Sequence, residues 1–246
     1  MNSFVNFLRE AWIRIARVIF WKRSESRYIV LLGAPGAGKG TIAGMLKEKL
    51  GLPQLQTGQL IRAEIESGSP LGKSLAPLVA SGAYISDKII IRLFQKELQK
   101  PEYVNGAILD GIPRTVIQAR ALRRKLLLWG NKVNRVILLD VPEEDVVERI
   151  LLRRTCSNKD CGASFHMKFA PPSKEDTCDH CGSSLKKRSD DNETTIRERM
   201  RVFKTSSGPV CDFYRRSKLL TVVKTNNQRS PEEVLRDVIF TIEEFD

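Results

Sequence analysis

The chain has 246 residues, 41% of them hydrophobic and 28% charged, which suits one α/β domain with inserted modules and a sizeable core. Its 41 Lys and Arg against 29 Asp and Glu leave a net charge of +12, a balance that attracts nucleotides, nucleic acid or an anionic membrane. No apolar run is long enough for an ordinary membrane-spanning helix, and 7% aromatic content without a base-stacking motif argues against a dedicated single-strand nucleic-acid binder.

Residues 1–27 differ in kind from the rest. Phe4, Leu8, Trp12, Ile15 and Ile19 recur at helical spacing, and six basic side chains oppose two acidic ones. The pattern predicts a basic amphipathic helix. It has neither the uninterrupted apolar core nor the small-residue cleavage site of a secretory signal. Three roles stay open for it: an organelle transit peptide, a membrane-surface anchor contacting anionic lipid through residues 1–24, or a helix packed on the body.

The body begins with an apolar run, Tyr28–Leu32, that reads as a buried strand. Gly33-Ala34-Pro35-Gly36-Ala37-Gly38-Lys39-Gly40-Thr41 follows, and residues 39–50 have helical spacing. Glycines between a strand and a helix let backbone N–H groups converge on an anion, and the helix N-terminus adds partial positive charge. Lys39 reaches outer phosphates as a point charge. Gly40 stands where such loops usually carry a hydroxyl, which comes one residue later at Thr41. Further buried strands are expected at Ala107–Asp110, Arg135–Asp140 and Leu219–Lys224, separated by helical patterns at 86–99, 115–128, 142–152 and 231–243. This alternation predicts an α/β fold, a parallel sheet with helices on both faces and a ligand site beyond the carboxyl ends of its strands. Residues 56–85 and 153–191 interrupt the alternation.

Asp110 closes one predicted strand, within Ile108-Leu109-Asp110-Gly111-Ile112-Pro113-Arg114. A carboxylate at a strand end beside a phosphate loop addresses magnesium directly or through water. Arg114 can fork onto a phosphate. More arginines gather at the apparent hinges: Arg149, Arg153 and Arg154 on one side, Arg188, Arg197 and Arg199 on the other. Asp190-Asp191-Asn192 supplies helix-cap chemistry before a helical stretch.

Four of the five cysteines fall in two pairs, Cys156-x4-Cys161 and Cys178-x2-Cys181, with 16 residues between the pairs. Paired thiolates on two short turns suit tetrahedral zinc in a reducing compartment. A disulfide and an unoccupied relic are the alternatives. Four protein ligands leave no open position, so the metal is expected to be structural. His180 is an alternative ligand but reads as exposed; His166 and Cys211 read as structural.

Taken in order, the glycine-rich loop, Gln56-Thr57-Gly58-Gln59-Leu60-Ile61-Arg62, the Asp110–Arg114 motif and the four cysteines resemble the adenylate kinase family, with the zinc-containing lid of bacterial members. The likeness runs from Tyr28 to the C-terminus. It implies a core (28–55, 86–152 and 192–246), an AMP-binding module (56–85) and a lid (153–191). It also implies reversible transfer of the γ-phosphoryl of Mg-ATP to AMP, giving two ADP. Gly36, Ala37, Gly38, Lys39, Gly40 and Thr41 would hold ATP phosphates, with Ser164 and Phe165 near its base and ribose. Thr57, Arg62, Ala83, Tyr84, Ile85, Gly111, Ile112, Pro113, Arg114 and Gln118 would form the AMP site. Arg153, Arg188 and Arg199 would clamp the transferring group, and Asp110 would serve Mg2+. The implied protein is a cytoplasmic monomer that does not act on nucleic acid; a UMP/CMP-type kinase and a weak nucleotide binder recruited to a membrane are the alternatives. Family members commonly carry Asp where Gln59 stands and Phe where Ile112 stands.

Overall fold

The computed structural model describes residues 26–243 except Gly82, Tyr84, Lys159, Asp160, Ser189 and Asp190. The expected N-terminal helix, save its last two residues, and the expected AMP contact at Tyr84 lie outside the described residues.

Five strands form a parallel sheet: β1 (Arg27–Gly33), β2 (Gln54–Gln56), β3 (Gly106–Asp110), β4 (Val133–Asp140) and a C-terminal strand (Leu220–Lys224). Their order is β2-β3-β1-β4 and then that last strand, so β1 lies at the centre with its glycine loop at the carboxyl edge. Alternation along β1 divides the core. Tyr28 and Val30 join a cluster on one face, with Ile90, Phe94, Leu122, Leu126 and Tyr214. Ile29 and Leu31 join the other, with Ile42, Leu46, Val146, Ile150, Val238 and Ile242. Successive side chains of a strand point to opposite faces, and a parallel sheet covered by helices on both sides buries both sets.

The helices are α1 (Lys39–Leu50), α2 (Thr57–Glu66), α3 (Pro70–Ala80), α4 (Asp87–Glu97), α5 (Val116–Leu128) and α6 (Glu143–Leu151), then α7 (Glu193–Arg216) and α8 (Pro231–Glu243). Asn192 caps α7, accepting from Thr195 N at 3.0 Å. The sequence pattern showed only the start of this 24-residue helix, because Pro209 interrupts its later turns. The edge strand β2 was not expected: it holds one apolar residue, Leu55, and owes its form to backbone pairing with β3.

Between β2 and α4, α2 and α3 form a helical pair. Ser69 caps α3 by accepting from Gly72 N at 2.9 Å and donates to Glu64 Oε1 at 2.5 Å. A Cβ at Gly72 would stand 2.1 Å from the Glu64 carbonyl oxygen, so the two helices meet backbone to backbone. Gly72→Ala is expected to destabilise by about 1–3 kcal/mol, as an overpacked contact with rigid backbone does. Thermal unfolding reads the loss.

Between α6 and α7, three short strands make a separate antiparallel sheet: β5 (Arg153–Cys156), β6 (Ser164–His166) and β7 (Leu185–Lys186), with β5 central. The C-terminal strand of the main sheet is therefore β8. The core of the small sheet is Cys156, Phe165, Cys178 and Leu185.

Candidate active site

The loop after β1 is shaped by its glycines. Gly36 has φ 80° and its missing Cβ would fall 2.6 Å from Ile150 Cγ1, so only glycine fits both the turn and the α6 contact. Gly38, at φ 89°, opens α1. Lys39, the first residue of α1, turns back and donates to the carbonyls of Gly33 (2.8 Å) and Ala34 (2.7 Å). Its ammonium is held at the mouth of the loop by local contacts alone. Burial lowers its pKa to about 8; Asp110 opposes that shift, while Arg114, Arg153 and Arg199 reinforce it. Residues 71 to 160 positions away in sequence thus act on one ammonium.

Asp110 sits at the carboxyl end of β3 and is 4% exposed. Its Oδ2 accepts from Gln56 Nε2 at 2.9 Å and Gln54 Nε2 at 3.2 Å. Among the described residues its Oδ1 takes no hydrogen bond. The two amides fix the carboxylate plane and leave one anionic oxygen for a hydrated cation, so the donor set fits Mg2+. A Cβ at Gly40 would lie 3.8 Å from Asp110 Oδ2, which places the loop and the carboxylate side by side. Gln59 lies in the first turn of α2 and is exposed.

Next to Asp110 the chain turns at Gly111, φ 73°, and continues through Ile112 and Pro113 to Arg114. The Gly111 carbonyl accepts from Thr57 Oγ1 at 3.0 Å and Arg114 Nε at 2.9 Å. Burial and the nearby Arg199 lower the Arg114 pKa against the pull of Asp110, so the guanidinium lacks full charge compensation and favours an anion. Gln118, 2% exposed, donates to Asp87 Oδ1 at 2.8 Å and accepts from Arg114 N at 2.8 Å. Asp87 Oδ2 accepts from Thr115 Oγ1 at 2.9 Å. Asp87 therefore orients Gln118, a role that its place at the start of a helix does not signal in the sequence. The Arg62 guanidinium lies along Gly58, 3.2 Å from where a Cβ would be. Ala83 is exposed and Ile85 packs against the core.

On the far side, Arg153 forks onto Asp191, at 2.9 Å to Oδ2 and 2.5 Å to Oδ1, and the Asp191 side chain is fully buried. Asp191 thus ties the base of the small sheet to the start of α7 rather than capping that helix, the cap being Asn192. Arg199 faces the same centre as Arg114, and Arg188 lies half-buried just after β7. Arg197 instead pairs with Glu193 on the exposed face of α7. Arg149 spans the loop region, donating to Asn227 Oδ1 at 2.7 Å and to the Asn226 carbonyl at 2.5 Å. Ser164 is exposed, whereas the Phe165 ring packs inward. His166 organises a turn, its Nδ1 accepting from Lys168 N and Phe169 N at 3.2 and 3.1 Å, and Cys211 is buried in the main core.

The sulfurs of Cys156, Cys161, Cys178 and Cys181 all lie within 4.8 Å of one another. Cys156 and Cys181 are 3.4 Å apart and Cys161 and Cys178 3.7 Å, too far for disulfides. A tetrahedral ion with bonds of about 2.3 Å needs edges of about 3.8 Å, so the cluster fits structural zinc. Hydrogen bonds from Ser183 pull the Cys181 thiol down, and burial pushes that of Cys156 up. His180 stands outside the four-sulfur set, which needs no fifth ligand.

The adenylate kinase family model matches residues 31–219. Curated adenylate kinases are similar over most of the chain. That of Archaeoglobus fulgidus is 44% identical over 192 residues, 78% of this chain and 88% of the relative. Those of Streptomyces avermitilis and Caldicellulosiruptor bescii are 43% and 41% identical, each over 79% of this chain and 88% and 89% of their own.

Proposed function

The chain belongs to the adenylate kinase family, and from that premise we propose how its residues divide the work. The reaction is reversible transfer of the γ-phosphoryl of Mg-ATP to AMP, giving two ADP. What carries the residue assignment is the convergence of Lys39, Asp110, Arg114, Arg153 and Arg199 on one point at the carboxyl edge of the sheet.

The backbone of Gly36–Thr41 and the Lys39 ammonium hold the ATP phosphates. Arg114 and Arg62 take the AMP phosphate. Thr57 and Gln118, with the 83–85 backbone, enclose the adenine of AMP. Arg153, Arg188 and Arg199 converge from the lid and α7 on the transferring group, whose charge spreads over three equatorial oxygens. Since the Phe165 ring faces inward, backbone at Ser164–Phe165 is what the lid offers the ATP base. The acceptor is already an anion, so no strong base is required; placement and charge stabilisation supply the rate. Asp110, its carboxylate fixed by Gln54 and Gln56, would hold the Mg2+ of Mg-ATP through water, and the ion would supply charge neutralisation at the phosphates. Residues 56–85 act as the AMP module and 153–191 as a lid that excludes water, the competing acceptor. The zinc keeps that lid folded. Four thiols kept free for metal support a cytoplasmic setting, and one chain holds every assigned side chain, which supports a monomer.

A coupled assay with Mg-ATP and AMP, GMP, CMP or UMP tests the reading: ADP formation with AMP is expected, and turnover with a pyrimidine alone would replace it by the UMP/CMP-type kinase. Asp87→Ala releases Gln118 and is expected to raise KM for AMP about tenfold with kcat and KM for ATP little changed, the loss of roughly one positioned hydrogen bond. An unchanged KM for AMP would remove Asp87 and Gln118 from adenine recognition.

A further inference from the structure

Of the arginines gathered at the hinges, Arg153, Arg188 and Arg199 have a place in the proposed reaction. Arg197 pairs with Glu193, and Arg154 donates to the Arg153 carbonyl at 2.9 Å. Arg149 instead leaves the last turn of α6 for a loop 78 residues away in sequence. Its Nε donates to Asn227 Oδ1 at 2.7 Å, its Nη2 to the Asn226 carbonyl at 2.5 Å and its Nη1 to the Ala37 carbonyl at 3.5 Å. These donors lie in the guanidinium plane, so the three contacts fix that plane between the phosphate loop and the loop after β8. Burial lowers the Arg149 pKa, and Asp145 and Glu148 oppose the shift, so the charge of the guanidinium is met within α6.

Residues 225–230 contain no Leu, Ile, Val, Met or aromatic residue, so hydrogen bonds rather than apolar contacts hold this loop. Asn227 supplies three of them. Its N donates to Asp145 Oδ2 at 2.9 Å, its Nδ2 donates to Glu148 Oε2 at 2.6 Å, and its Oδ1 takes Arg149 Nε. The partners fix the orientation of the amide, because a carboxylate only accepts and a guanidinium only donates. An aspartate at this position would keep Arg149 but set its second oxygen against Glu148. A leucine would leave both partners unpaired. Glu148 Oε1 is committed too, accepting from Lys168 Nζ at 2.6 Å.

The place of this network in the sheet gives it a substrate. β8 lies beyond β4, on the side of β1 away from β3. Asp110 and Arg114 stand at the end of β3, where AMP is received in the proposed reaction. In-line transfer puts the γ-phosphoryl between the two nucleotides, so the rest of ATP runs from the phosphate loop toward β4 and β8. The Arg149 plane and the 226–227 backbone stand along that path.

We infer that Asn227 is a positioning residue for ATP: through Arg149 and Glu148 it fixes the β8 side of the cleft, against which the nucleoside of ATP is placed. The inference rests on the proposed use of Gly36–Thr41 and Lys39 for the ATP phosphates. Asn227 acts without touching the phosphates. Its loss frees the Arg149 plane and the loop together, and ATP must then order both as it binds.

The test is calorimetric titration of the full chain, without AMP, by Mg-ATP and by inorganic tripolyphosphate. Asn227→Leu, which adds no charge, is expected to weaken Mg-ATP binding about tenfold and tripolyphosphate binding less than about twofold. Its KM for ATP should rise by the same factor with KM for AMP unchanged. Asn227→Asp should also weaken Mg-ATP binding about tenfold. Adding Glu148→Gln to it offers an N–H to the new carboxylate, leaves a carbonyl for Lys168 and restores the net charge, so the double variant should return to within about threefold of wild type. Wild-type affinity for Mg-ATP in Asn227→Leu would overturn the inference. So would an equal loss of tripolyphosphate, the mark of general loosening, or a double variant no better than Asn227→Asp alone. Lys39→Met in the same titration tests the underlying reading separately. If it binds tripolyphosphate as wild type does, that reading fails and the inference with it. If it loses both ligands while Asn227→Leu keeps Mg-ATP, the inference alone fails.

Discussion

Lys39→Met is expected to lower kcat/KM for ATP about a thousandfold, the scale of losing one preorganised charge at a water-excluded transition state. The pH dependence separates this from a mere binding defect. In the free enzyme burial has brought the Lys39 pKa to about 8, so the ammonium is lost as pH rises through that value. Then kcat/KM for ATP, which reports the free enzyme, should fall above about pH 8, whereas kcat at saturation should hold to higher pH because bound phosphate restores the charge. Lys39→Arg should show no such fall, its guanidinium staying protonated, though the point-charge geometry is lost. Stability moves in the opposite sense. Between about 8 and 10.5 the unfolded chain holds the Lys39 proton that the folded chain has released, so the stability of wild type relative to Lys39→Met should rise with pH across that window and stay flat below it. The expected rise is about 2–3 kcal/mol by pH 10, read from denaturant midpoints of the two proteins. A flat difference, with activity undiminished at pH 9, would show that Lys39 keeps its charge without nucleotide.

The parts of this site that were legible in the sequence are those whose geometry is local. The glycine loop, Lys39 and the start of α1 span nine consecutive residues, and their conformation follows from glycine positions and one helix N-terminus. The Asp110–Arg114 turn is likewise a single short segment. Cysteine is scarce enough that two close pairs signal a metal, and the four sulfurs do converge. What stayed hidden depends on pairing across the sheet. Gln54 and Gln56 reach Asp110 because β2 pairs with β3, and no local signal marks β2 as a strand. Asp87 finds Gln118 across two helices 31 residues apart, and at the start of α4 it looks like any dipole-complementing acid. Asp191 read as a cap because three cap-forming residues stand in a row; only the return of β5 toward α7 shows that its partner is Arg153. Alternation of strands and helices predicts a parallel sheet, but the order that puts β1 between β3 and β4 is a property of the crossovers, which periodicity does not encode.

Cys178→Ser is expected to abolish zinc binding and with it the fold of the small three-stranded sheet, the lid of our proposal. The three lid strands have four, three and two residues, and two of the four residues in their shared core are metal ligands. A sheet of that size is marginal without a staple, while structural zinc contributes on the order of 10 kcal/mol to so small a unit. Cys178 is 1% exposed, so its loss also opens the core. The lid carries Arg153 at one end and Arg188 just after the other, and the Arg153–Asp191 fork ties its base to α7. Without zinc those guanidinium groups are no longer presented together, and water is no longer kept from the phosphoryl group. Transfer to AMP should fall at least tenfold, and ATP hydrolysis should rise as a fraction of turnover. Limited proteolysis followed by mass analysis should find cuts between residues 157 and 187 in the variant, with the main sheet still intact. Chelation of wild type should reproduce the cuts and added zinc should reverse them, which the variant cannot do. A zinc-free Cys178→Ser protein that keeps full transfer activity and an uncut lid would show that the small sheet stands by its own packing.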